Sequence, residues 1–174
     1  MIDSRTGIDV ENDWITEFRK NANAVIFDFQ KIEAKIVRFA GQYVQLIGEI
    51  KKIVSGTPIH VADGQTAVNF MGVDGKPRQI PVPFVQMNLM QRSLSIFPQI
   101  MDINGVLTCG VSFGVQRPIK ALPTGLLLYQ ETGENSPDWV IYYPQANNTP
   151  SLGKLDGPTL VRILQEALLP EKPK

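Results

Sequence analysis

Gly110-Val111-Ser112-Phe113-Gly114 fits G-x-S-x-G, the pattern in which a hydrolase holds its nucleophilic serine on a strained elbow between a strand and a helix. In that chemistry the acid and the histidine follow the serine along the chain. Here the only histidine, His60, precedes it, and the residues around Ser112 read as one uninterrupted strand. In a strand, Leu107, Cys109, Val111, Phe113 and Val115 face one way, while Thr108, Gly110, Ser112 and Gly114 face the other. The first row reads as core. The second is a run of small residues against which a backbone, an aromatic ring or another subunit can press.

The remaining candidates for chemistry are sparse. One histidine and one cysteine cannot make a nitrogen and sulfur zinc site. His60, between Ile59 and Val61, reads as structural, and Cys109 as a small buried hydrophobe. Glu131, Glu134 and Asp138 could hold a hard cation but lack EF-hand spacing, so a solvated loop is the simpler reading. Gly153-Lys154-Leu155 has neither the upstream glycine nor the hydroxyl residue of a phosphate loop. Asn147-Asn148-Thr149 is a sequon that short patterns produce by chance. Trp139, Tyr142, Tyr143, Tyr129, Phe113 and Phe97 suit core and interface packing better than base stacking, which needs a basic groove beside it. No catalytic residue, metal or cofactor is expected, and the chain reads as a non-enzyme.

The elements that position these residues fall into two textures. Asp9 to Lys20 reads as a short helix interrupted at Asn21 and Asn23. From Phe29 to Val54, Ile32, Ile36, Phe39, Tyr43, Ile47, Ile50 and Val54 recur at spacings of three and four, a helical seam of coiled-coil type. Gly41 and Gly48 fall on one stripe of that helix and invite another backbone. A hairpin of Ala34 to Phe39 and Gln42 to Ile50, turned at Gly41, competes, but seven matched positions favour the helix.

After Pro58 the pattern becomes strand-like, with Asp63-Gly64, Asp74-Gly75 and Asn104-Gly105 as hairpin turns. Strands are expected at 58–62, 67–73, 78–82, 84–90, 93–97, 106–116, 126–129 and 140–143. Pro81 and Pro83 belong at an edge or a bulge. A short helix within 84–97 is the alternative to two strands across a bulge near Arg92. Asp156-Gly157-Pro158 starts a last helix with Leu160, Val161, Leu164, Ala167 and Leu168 on its apolar face, stopped by Pro170. The expected fold is α+β: a helical arm over 1–57, then over 58–174 an antiparallel meander sheet or partly open barrel with the C-terminal helix packed on it, the two forming separate units or one continuous domain.

Seventeen basic residues balance seventeen acidic ones, and no basic patch appears, so nucleic-acid binding is not expected. The chain opens without an apolar leader and holds no run long enough for a membrane helix, which leads to an expectation of cytoplasmic synthesis and no membrane role. The 38 residues from Gln79 to Gln116 carry two charges, Arg92 and Asp102, where roughly nine or ten would be usual. Interface cores are depleted of charge and hold Met, aromatic and neutral polar groups. Gln86, Met87, Met90, Gln91, Thr108, Gly110, Ser112 and Gly114 are therefore candidate contact residues. Ile36, Tyr43 and Ile47 form either a second association surface or the seam by which the helix packs the sheet.

Together these features point to a structural or assembly subunit, a homo-oligomer or part of a hetero-complex; virion tail or baseplate components are one such class. The alternative is a small-ligand or peptide-binding module using an apolar interior or a sheet edge.

Overall fold

A computed structural model describes residues 6–103, 106–132, 136–144 and 151–171. The fold is α+β, as expected: helix α1 (Thr6–Val54), seven antiparallel strands in one open sheet, and helix α2 (Gly157–Leu168). The strands are β1 (His60–Met71), β2 (Pro77–Leu89), β3 (Arg92–Ile103), β4 (Val106–Val115), β5 (Leu126–Thr132), β6 (Ser136–Tyr143) and β7 (Ser151–Lys154). They lie side by side in chain order.

The helix α1 is continuous for 49 residues. The hairpin alternative is excluded, and Asn21 and Asn23 do not break the helix. Each asparagine costs only some tenths of a kcal/mol in a helix, and extending an existing helix is far easier than nucleating a new one. Ile36, Phe39, Tyr43, Ile47, Ile50 and Val54 are buried, so the seam packs the sheet. Ile36, Tyr43 and Ile47 consequently belong to the core and offer no free surface. Gly41 and Gly48 face away from it, with nothing within 4 Å of where a Cβ would sit.

Several short expected strands merge into longer ones. Asp63-Gly64 is not a turn but lies inside β1, where Gly64 accommodates the ring of Phe84 on the neighbouring strand and Asp63 pairs with Lys51 of α1. Asp74-Gly75 does turn the chain, with positive φ at Gly75. Asn104-Gly105 lies outside the described residues. The segment 84–97 holds strands and no helix, and the expected bulge near Arg92 is instead a two-residue hairpin loop, Met90-Gln91, closed by the Leu89 and Arg92 pair. β7 was not anticipated, being only four residues long.

The β2 and β3 ladder is short. It joins Val85–Leu89 to Ile96–Arg92 and then stops, although both strands continue. The closing pair of a two-residue hairpin is hydrogen-bonded, so Leu89, Met87 and Val85 point their backbone groups at β3. The next positions in that parity are Pro83 and Pro81, which have no N–H, and Pro98 occupies the matching parity on β3. A slit opens there. Tyr43, fully buried, donates its hydroxyl to the Pro83 carbonyl at 2.7 Å, with the Ile96 carbonyl at 3.2 Å, and so satisfies the backbone where the ladder ends.

One face of the sheet carries the single core cluster, with Val85, Met87, Leu94, Ile96, Cys109, Val111, Phe113, Leu127 and Ile141 beneath both helices. Phe39 of α1 meets Tyr129 at 5.6 Å and Trp139 at 6.1 Å, the two rings themselves 5.5 Å apart. Beside them Arg38 holds Glu131 with two hydrogen bonds, at 2.6 and 3.0 Å, while the Tyr129 hydroxyl donates to the same carboxylate. At its C-terminal end α2 is capped by Arg92, whose guanidinium donates to the Leu169 carbonyl. Its N-terminus starts as expected, with the Asp156 carboxylate accepting from Thr159 N–H at 2.8 Å; Ile163 replaces Val161 on the buried face.

Tyr43→Phe should cost about 1–2 kcal/mol in urea unfolding, because two buried carbonyls lose a donor, and Tyr129→Phe clearly less, since Glu131 stays with Arg38. The Arg38 guanidinium holds the Glu131 carboxyl below its ordinary value. Its contribution is therefore complete above the unfolded value near pH 4.3 and is lost as pH falls below it. With the Glu131 side chain 33% exposed, Glu131→Gln should cost under about 1 kcal/mol at pH 7. The two proteins should converge in stability below about pH 4.

Candidate functional site

Ser112 lies mid-strand in β4, paired with Phe97 of β3 and Leu126 of β5. No helix follows it, so there is no nucleophile elbow. His60 starts β1, three inter-strand steps away, about 14 Å at ~4.8 Å each, and is exposed. The two cannot share a proton. Cys109 is fully buried, and burial pushes its thiol up to about 11, the reverse of what a nucleophile requires. Glu131 is engaged by Arg38 and Tyr129; the Glu134 and Asp138 side chains and the sequon lie outside the described residues. Among the described residues no group of three metal-ligating side chains converges. Gly153 is small because the Tyr143 ring passes 2.8 Å from where a Cβ would sit.

Two surfaces remain. The first is the sheet face opposite the core. Its rows run Gln86, Ser95, Gly114; then Phe97, Ser112, Leu126; then Gln99, Gly110, Leu128, Val140. Thr108 and Met101 pair beside them. Among the described residues no helix packs there, and the only charged residue paired along these rows is Lys154 of β7, beside Val140. The low charge of Gln79 to Gln116 thus has a structural source: these residues form three interior strands, β2 to β4, with core on one side and this face on the other.

The small-residue row is not uniform. Gly110 is buried, with Leu127 O 2.7 Å and the Leu126 side chain 3.1 Å from the position of an added Cβ, whereas Gly114 is exposed with nothing nearer than 3.6 Å. Met87 is fully buried and faces the core, so it leaves the set of contact candidates. Met90 stands at the tip of the β2–β3 hairpin, 88% exposed, with φ of 53°. That backbone state disfavours any residue but glycine by about 1–2 kcal/mol. Gln91 shares this tip. A groove of about 290 Å³ lies between Ala67–Asn69 of β1 and Pro98–Ile100 of β3.

The second surface escaped the sequence reading. From Trp14 to Lys31, α1 projects beyond the sheet with Trp14 73%, Phe18 64%, Val25 54% and Phe29 49% exposed. With Ala22 between them, these residues continue the spacing of three and four that Ile32 and Ile36 carry into the core. One stripe therefore runs the length of the helix, covered at its C-terminal end and bare at the other. The signal was present in the spacing, but the expected break at Asn21 and Asn23 divided it. Phe27 is off this stripe, with Lys31 Nζ 4.4 Å from its ring centre.

Gly110→Ala should destabilise the fold by about 1–3 kcal/mol, since main chain blocks its Cβ, while Gly114→Ala should stay within about 0.5 kcal/mol. Met90→Gly should raise stability by about 1 kcal/mol. Chemical denaturation of the three variants checks these values. No helix is long and apolar enough to cross a membrane among the described residues. Compared with known proteins, the chain matches no protein-family model and shows no significant similarity to a curated protein or to a solved structure.

Proposed function

We propose that this protein is a non-catalytic subunit of a larger protein assembly. The observation that carries the reading is the exposed stripe of Trp14, Phe18, Val25 and Phe29 on the projecting arm, with the partly covered Ala22 between them. Exposed stripes of large apolar residues are costly in water and mark surfaces that another molecule covers. A stripe spaced at three and four on a helix fits a helical partner surface. The outer sheet face supports the same reading as a second, flatter contact area, with Met90 and Gln91 beside it and an energetically unfavourable methionine kept at its tip. A virion tail or baseplate component is one instance of this class.

A small-ligand or peptide-binding module is the second reading. It is favoured by β1, which borders the sheet with one side unpaired, and by the groove against β3. A large thermal shift from an apolar ligand or an extended peptide, on a protein that stays monomeric, would support it over assembly.

Light scattering after gel filtration should give a mass above that of one chain, or a co-purifying protein. Phe18→Asp/Val25→Asp should abolish either association while leaving the melting temperature of the body unchanged, because neither side chain touches the core. A clean monomer with no co-purifying protein would overturn the assembly reading.

A further inference from the structure

We propose that the outer half of the β1–β2 hairpin, residues 66–82, is a flap that opens independently of the sheet and is latched to the root of the α1 arm by Glu33. The ladder between β2 and β3 ends at the Val85 and Ile96 pair. Among the described residues the flap's only backbone ladder is therefore its own, Thr66–Met71 against Pro77–Val82. The flap also turns a different face to the core. Val85 and Val82 are both buried although they stand three apart, on opposite faces of a flat strand, so β2 turns over between them, at Pro83. Tyr43 holds that turning point through the Pro83 carbonyl.

Beyond this hinge few groups hold the flap down. Val68 and Val82 are buried in the core cluster, with Phe70 and Ile80 partly covered beside them. Among the described residues the polar grip of its tip on α1 is one carboxylate. Glu33 accepts from Arg78 Nη1 at 2.7 Å and from Val73 N–H at 3.3 Å. Asp74 lies 3.6 Å from the same guanidinium, and Gly72 leaves room for it, since an added Cβ would stand 2.5 Å from Arg78 Nε. Beside this contact an open cleft of about 600 Å³, bordered by Gln30, Ala34 and Val37, separates the tip from the helix.

A segment with few buried apolar side chains and no ladder to its neighbour opens at a lower free energy than the whole domain. Once lifted, the flap is a two-stranded hairpin, which is marginal in water, so its own ladder loosens with it. Opening widens the groove against Pro98–Ile100 and uncovers Val68 and Val82. Glu33 follows Ile32, where the arm meets the sheet, so arm root and flap share this one latch.

Amide exchange followed by NMR on the whole chain tests the proposal. The bond from Gly72 N–H to the Lys76 carbonyl sets the parity of the hairpin, so the N–H groups of Thr66, Val68, Phe70, Ile80 and Val82 point into the flap's ladder. These five should show nearly equal protection, at least about tenfold below that of Ser95, Phe97, Ser112 and Gly114 in the β3–β4 ladder. Glu33→Ala should speed exchange in the flap by about three- to tenfold and leave the β3–β4 amides unchanged. Gly72→Ala, which pushes Arg78 off the carboxylate while keeping Glu33, should do the same. Equal protection in the two ladders would overturn the flap as a separate unit. A rise of the same size in both ladders, or in neither, would overturn the latch.

Discussion

An apolar stripe needs cover along its whole length, and α1 is far longer than anything this chain supplies to cover it. The helix spans about 73 Å at 1.5 Å per residue, whereas seven strands span about 29 Å at ~4.8 Å per step. From Ile36 to Val54 the stripe is buried to within a few per cent of its area. Before Ile32 it has no partner among the described residues. Every tertiary contact around the helix root serves to hold that long lever in place: the Phe39, Tyr129 and Trp139 rings, the two-point grip of Arg38 on Glu131, and Glu33 reaching Arg78 at 2.7 Å. The arm's direction is thus set by the core and not by a loop.

The sheet beneath is shaped by a second constraint, the absence of N–H donors at Pro81, Pro83 and Pro98. Because all three face the same gap, the β2 and β3 ladder ends there, and beyond it the buried positions switch from Val85 and Met87 to Val82 and Val68. The Tyr43 hydroxyl couples this opening to the helix, so that helix and slit are held by one side chain.

Much of this was legible in the residues. The seam from Ile32 to Val54, the capped start of α2 at Asp156 and the alternation of β4 follow from local periodicity, which a sequence states directly. What was not legible depended on partners across the sheet. Gly64 reads as a turn until Phe84 is placed opposite it. Met87 reads as surface until the register pairs it with Leu94 on the core face. The helical arm was legible, but its unbroken stripe was not: Asn21 and Asn23 read as a break, whereas cooperativity carries the helix, and with it the spacing of Trp14, Phe18, Ala22, Val25 and Phe29, straight through them. The catalytic-looking pentapeptide is what alternating glycine and serine on the outer side of a strand produce.

The prolines of the slit also matter for what the protein avoids. An interrupted ladder is ordinarily a hazard, because two strands with unsatisfied backbone invite a foreign strand to slide in and start aggregation or domain exchange. Here the inviting side of β2 lacks its donors at Pro81 and Pro83, and β3 lacks one at Pro98, so an intruding strand would find too few bonds to hold it. These three residues thus make the interrupted ladder a poor template for a foreign strand even though the strands themselves run on past it.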